Sequence, residues 1–148
     1  MKNSELAQEM GRLRRRYNVL KKEQEDMEKE MDFLKSVDYS RPHVSGGDSK
    51  DISDLLIELD ERKERSARKL LALYNRITSI ESYLKRKLTG LSDPDGEEVL
   101  YNLFTLGHAA QETARILHFS RTTIYEKKSK ALIYLDSLPC DYSPDSRE

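Results

Sequence analysis

The chain has 148 residues, 36% of them charged and 7% aromatic, with no Trp and four Pro. That balance suits long solvated helices better than a sheet-built globule, and no apolar run reaches the roughly 20 residues a bilayer-spanning helix needs. The formal net charge of −1 argues for no partner by itself, because it is a cancellation between strongly charged blocks. The start, Met1-Lys2-Asn3-Ser4-Glu5, leads into a charged helical pattern instead of an apolar secretory core, so a cytoplasmic protein is expected. Cys140 is the single cysteine and reads as a free thiol.

Leu6, Met10, Leu13, Tyr17, Leu20, Gln24, Met27, Met31 and Leu34 recur at alternating spacings of four and three. Such a stripe lies along one side of a helix of about nine turns. Periodicity fades at Ser36, and Pro42 with Gly46-Gly47 predicts a loop over about 37–50. Asp48 or Ser49 can cap a second helix, with Asp51 and Asp54 near its positive end. Its stripe reads Ile52, Leu55 or Leu56, Leu59, Lys63, Ser66, Leu70, Leu73, Ile77, Ile80 and Leu84. Thr89-Gly90 provides a stop after about Leu88.

Folding the two helices back on each other, with position numbers adding to about 86–87, sets Leu34 against Ile52, Met31 against Leu56, Tyr17 against Leu70, Met10 against Ile77 and Leu6 against Ile80. The polar stripe residues Gln24 and Lys63 then coincide, so residues 1–88 are expected to form an antiparallel two-helix coiled-coil hairpin. Residues 1–22 hold seven basic and two acidic side chains, residues 62–88 nine and two, and residues 23–61 four and thirteen. The pairing gathers the basic segments at one end. There Arg12, Arg14, Arg15, Arg16, Lys21, Lys22, Arg65, Arg68, Lys69 and Arg76 are either a second phosphate-attracting surface or a solvated helix face. Val19, Phe33, Leu55, Leu71 and Tyr83 lie off the main stripe, which points to dimerisation or to packing on another module.

Composition changes after Gly90. Asp93 is a helix cap, Pro94 suits a first turn and acids follow, while Val99, Leu100, Leu103 and Phe104 supply an apolar face that Gly107 ends. A short helix fits Ala109 to Leu117, a turn follows at His118-Phe119, and Ser120 caps a last helix running to about Leu138. Two short helices joined by about three residues, the second basic and hydroxyl-rich, is the plan of a helix-turn-helix over 92–138. Ala114 is small where the helices cross, and Leu117, Phe119, Ile124, Leu132 and Leu135 are its apolar anchors. Outward positions carry Arg121, Thr122, Thr123, Tyr125, Lys127, Lys128 and Lys130, and from Arg115 to Lys130 there are five basic side chains and one acid, Glu126. Residues 139–148 read as a disordered tail.

The run from Asp93-Pro94-Asp95-Gly96-Glu97-Glu98 through Gly107, then Glu112-Thr113-Ala114-Arg115-Ile116-Leu117, Phe119 to Tyr125 and Lys130-Ala131-Leu132 resembles region 4 of sigma factors. It is most similar to the phage-encoded ArpU/RinA-like regulators of late transcription, whose paired long helices around a Gly-Gly-Asp segment also resemble Gly46-Gly47-Asp48. The resemblance implies an all-α fold and a sequence-specific DNA-binding transcription regulator in the cytoplasm of a bacterial host. Double-stranded DNA would be its ligand, RNA polymerase or another host protein complex a contact, and a second copy its partner. It implies that Ser120 to Lys130 enters the major groove, with Arg121, Lys127 and Lys128 on phosphates, Thr122, Thr123 and Tyr125 near base edges, and Arg115 and Lys130 among the DNA-binding side chains. Against that pattern Ala109 replaces a capping Ser or Thr, Thr113 an apolar residue, and His118 the turn Gly, where positive φ is required.

Two other functions fit the same residues: a phage-encoded inhibitor or adaptor that grips a host protein complex, and a DNA-packaging recognition subunit. Enzyme chemistry is not expected. His43, His108 and His118 lie in separate segments without metal-ligand spacing, and Gly46-Gly47 lacks the Gly-Lys-Ser/Thr of a phosphate loop, so neither metal nor cofactor is expected.

Overall fold

The computed structural model describes residues 1–40 and 52–144, with residues 38–40 through their backbone alone. Its described residues are all-α, without a strand. The helices are α1 Asn3–Ser40, α2 Ile52–Lys87, α3 Pro94–Leu100, α4 Ala110–Leu117 and α5 Arg121–Asp136. Leu88–Gly90 makes a 3-10 turn after α2, and Tyr101–Thr105 a π-helical turn after α3. The first helix runs four residues beyond Ser36, because nothing before Pro42 breaks a helix. Most of the expected loop, including Gly46-Gly47 and the caps Asp48 and Ser49, lies outside the described residues, as does Asp51. Asp54 sits in the first turn of α2 and Lys85, Arg86 and Lys87 in its last, each sign matched to the helix dipole.

The chain divides into two compact units, Asn18–Ala72 on one hand and Met1–Tyr17 with Leu73–Glu148 on the other. In the first of these, Met31, Leu59, Ser66 and Leu70 are buried and Leu20, Gln24, Met27 and Leu34 half-buried, all positions of the two predicted stripes. Lys63 bonds Glu28 at 3.2 Å, one turn beyond the Gln24 that the sequence set opposite it. Val19, Phe33, Ile57 and Leu71 are exposed.

The other unit corrects the expected boundary near residue 90. Leu6, Ala7 and Met10 of α1 and Ile77, Ile80 and Leu84 of α2 share one core with Val99, Leu100, Phe104, Ile124, Ala131 and Leu135. The physical reason is length: α3 and α4 have seven and eight residues, far below what holds a helix together unaided. Along α1 and α2 the contacts Asn3–Tyr83, Glu9–Arg76 and Tyr17–Tyr74 run in opposite senses, so these segments are antiparallel. Inside α1, Gly11 faces Phe104, whose Cδ1 would lie 2.8 Å from an added Cβ. Tyr83, expected to be exposed on a lone hairpin, is buried, and its hydroxyl donates to Asn3 Oδ1 at 2.8 Å. Asn3 Nδ2 in turn donates to the carbonyls of Leu135 at 2.8 Å and Leu138 at 3.3 Å, at the end of α5 where the Leu135 carbonyl also takes the Leu138 amide at 3.1 Å. Asp136 accepts from the Ser4 amide at 2.9 Å, placing a carboxylate at the positive end of α1.

Residues 139–144 do not form the disordered tail the sequence suggested. Asp141 accepts from Lys87 at 2.9 Å, and Tyr142 meets the Tyr83 ring edge-on at 5.3 Å and shares a hydrogen bond with Ser79 at 3.1 Å. The half-buried Tyr142 with its bonded hydroxyl supplies what a loose terminus lacks. Residues 145–148 lie outside the described residues.

Burial pushes the Tyr83 phenol up from 10 to about 12. A group whose folded value is raised stabilises the fold fully below its unfolded value and loses that contribution as pH climbs through the folded one. Thermal melts between pH 9 and 12 are therefore expected to fall steeply for the native chain and less steeply for Tyr83→Phe. At neutral pH the same variant should cost about 1–2 kcal/mol, because Asn3 loses its donor.

Candidate nucleic-acid interface

The interface is built from its caps outward. Asp93 precedes α3 in extended conformation and its Oδ1 accepts from the Asp95 amide at 3.0 Å, as a capping residue should. Its Oδ2 accepts from Lys127 of α5 at 3.0 Å, and Asp95 lies 3.5 Å from the same ammonium. Lys127 also stands 5.4 Å from the Phe119 ring centre. The hydrogen bond from Lys127 holds the Asp93 carboxyl below its ordinary range, and reciprocally the bond to Asp93 raises Lys127. The expectation that Lys127 reaches outward to a phosphate is thus corrected: its charge ties α5 to the start of α3. Lys128 is half-buried, 5.7 Å from the Phe104 ring centre, so it too turns back toward the core.

Ala109 stands at the N-cap of α4 without a side-chain bond. Thr113, in a position that favours an apolar residue, is fully buried, and its hydroxyl donates to the Ala109 carbonyl at 3.0 Å. That internal bond removes the cost of burying a hydroxyl. Ala114 is buried in the same core as Ile124 and Leu135 of α5. His118 has φ 59° and ψ 38°, the left-handed geometry that ends α4. Ser120 then caps α5, accepting from the Thr123 amide at 3.2 Å, and the Thr123 hydroxyl bonds Ser120 at 2.8 Å. Thr123 is accordingly half-buried and occupied in the cap.

Ile124, Ala131 and Leu135 form the buried face of α5. Arg121, Thr122, Tyr125 and Lys130 are exposed, joined by Glu126 and Ser129 one turn after Thr122 and Tyr125. Arg115 projects from α4 with its side chain 80% exposed and only a loose 3.8 Å approach to Glu112. The structure therefore groups Arg115, Arg121, Thr122, Tyr125 and Lys130 as solvent-facing, and withdraws Thr123, Lys127 and Lys128.

Comparison with protein-family models, curated proteins and solved structures returns no match.

The ten cations of the second basic surface do not fall in one unit. Arg12, Arg15 and Arg16 are exposed in the unit that holds α5, Arg14 lies 4.9 Å from the Tyr17 ring centre, and Arg76 pairs with Glu9. Lys21, Lys22, Arg65, Arg68 and Lys69 are exposed in the other unit. Among the described residues no group of three His, Cys, Asp or Glu is placed to hold a metal ion.

Sequence reasoning missed Glu126 and Ser129 on the outward face, although a helical projection from Thr122 and Tyr125 carries them there. It also read Asp93 as a cap alone. The acid-rich turn Asp93-Pro94-Asp95 ahead of a lysine-bearing helix was the available signal for its second role.

Two variants test this geometry. His118→Gly relieves a left-handed non-glycine residue and should raise stability by about 1 kcal/mol in a chemical melt. Asp93, held low, contributes stability above the ordinary carboxylate range that is lost as pH falls through its folded value. Lys127→Ala should consequently lower the neutral-pH melting temperature and flatten its decline in acid.

Proposed function

We propose that the chain is a phage-type, sequence-specific DNA-binding transcription regulator of the bacterial cytoplasm, with α5 lying in the major groove. The finer fold reading goes with it: α1 and α2 as an antiparallel hairpin, and α4 and α5 as a helix-turn-helix similar to sigma region 4. The observation that carries the reading is the outward side of α5, where Arg121, Thr122, Tyr125 and Lys130 face solvent behind a capped start and a left-handed turn. Arg115, Arg121 and Lys130 suit phosphates, and Thr122, Tyr125, Glu126 and Ser129 suit base edges, Glu126 being an acceptor for a cytosine amino group. A contact with RNA polymerase is part of the same proposal.

One observation favours the adaptor reading instead. A groove of about 370 Å³ in the same unit is floored by Met10, Leu84, Leu100 and Phe104 and edged by Glu81, Lys85, Glu97 and Glu98, an apolar floor that suits a protein side chain more than a nucleic acid. The well-formed turn at His118 weighs toward DNA.

The deciding experiment is a duplex titration at about 50 and 200 mM salt. The native chain should bind, and Arg121→Glu with Lys130→Glu should cost at least roughly tenfold and reduce the salt slope by about two. No affinity tighter than about micromolar at low salt would end the DNA reading in favour of the adaptor. Binding of equal strength to a promoter and to unrelated duplexes would remove sequence-specific regulation.

A further inference from the structure

We infer that the exposed side of α1 between Val19 and Phe33 is a self-association face, on which a second copy packs its own α1 antiparallel about a two-fold axis beside Asp26. Val19 is 60% and Phe33 66% exposed. They are two heptads apart, hence on one side of the helix and about 21 Å apart along it. Lys22, Glu23, Asp26, Lys29 and Glu30 lie between them on the same side, and all five are exposed. The opposite side of α1 is otherwise engaged, with Met31 buried and Leu20, Gln24 and Met27 half-buried.

The orientation follows from the order of charges about Asp26. Val19 and Phe33 stand seven residues before and after it, Lys22 and Glu30 four, and Glu23 and Lys29 three. An antiparallel copy therefore brings Val19 onto the partner's Phe33, Lys22 onto the partner's Glu30 and Glu23 onto the partner's Lys29, each contact occurring twice by symmetry. A parallel copy in register would set Lys22 on Lys22, Glu30 on Glu30 and so on, repulsive at every charged position. Only the Asp26 pair on the axis is like-charged in the antiparallel arrangement, which keeps the association reversible. The inference stands on α1 alone and is independent of the DNA reading.

Sedimentation of the full chain should show a monomer–dimer equilibrium that Phe33→Glu shifts to monomer, with helicity unchanged because Phe33 lies on the surface. Lys22→Glu alone should weaken association by roughly tenfold or more, since both symmetric pairs become repulsive. Lys22→Glu combined with Glu30→Lys should restore it, because the pairs are then complementary with their signs exchanged. In a Cys140→Ser background, Asp26→Cys should cross-link under mild oxidation, and Val19→Cys only when mixed with Phe33→Cys. A monomer at all concentrations up to about 100 μM, failure of the charge exchange to restore association, or cross-linking of Val19→Cys with itself would each overturn the arrangement.

Discussion

Three short helices must bury their apolar faces, and the ends of α1 and α2 are what they bury them against. Ile124 and Leu135 of α5 are fully inaccessible in the same core as Leu6, Ile77 and Ile80. Removing an aliphatic side chain of that size from water contributes about 1.5–3 kcal/mol, so this core, more than any surface ion pair, fixes where α5 lies. The polar contacts then select one arrangement among those the core permits. Asn3 serves both ends of the problem, accepting from Tyr83 of α2 while donating to the last carbonyls of α5. The outward face of α5 is consequently positioned by residues more than a hundred places away in sequence.

That arrangement also allocates the cations. Between Arg115 and Lys130 the chain has five basic side chains, but Lys127 is held by Asp93 and Lys128 lies against Phe104. Three remain directed to solvent. Each neutralised phosphate contributes slightly under one unit of salt slope, so the proposed DNA contact is small for one copy. Two copies would double it, which links the proposed groove contact to the proposed self-association without making either depend on the other.

What the sequence made legible was local. Asp93, Pro94 and Ser120 announce helix starts by their own chemistry, His118 demands positive φ because the turn does, and the α1 and α2 stripes mark the sides that the structure buries. What it hid was long-range. The acid-rich turn at Asp93 signals a cationic partner, but nothing in the sequence says which lysine of α5 comes within 3.0 Å of it, and Asn3 reads as an ordinary polar residue at a helix start. Periodicity likewise places Tyr83 on the flank of a stripe, and its burial comes from distant residues, Asn3 on one side and the Pro139–Pro144 segment on the other. The boundary near residue 90 misled for the same reason, since composition changes there while the core does not.

The weakest local chemistry sits where the proposed interface begins. α4 lacks a side-chain cap at Ala109, and His118 occupies a backbone conformation that glycine adopts more cheaply, each a cost of about 1 kcal/mol. Both are stability costs and neither displaces the turn. The Thr113 hydroxyl closes on the Ala109 carbonyl, and the Phe119 amide bonds the Ala114 carbonyl at 3.0 Å, so the backbone path into Ser120 is determined despite the substitutions. With Ser120 capping α5 and Lys127 anchoring it two turns later, the start of α5 is held from both sides. A helix so held presents Arg121, Thr122 and Tyr125 in a defined direction before any ligand arrives, and a contact prepared in advance loses less freedom on binding.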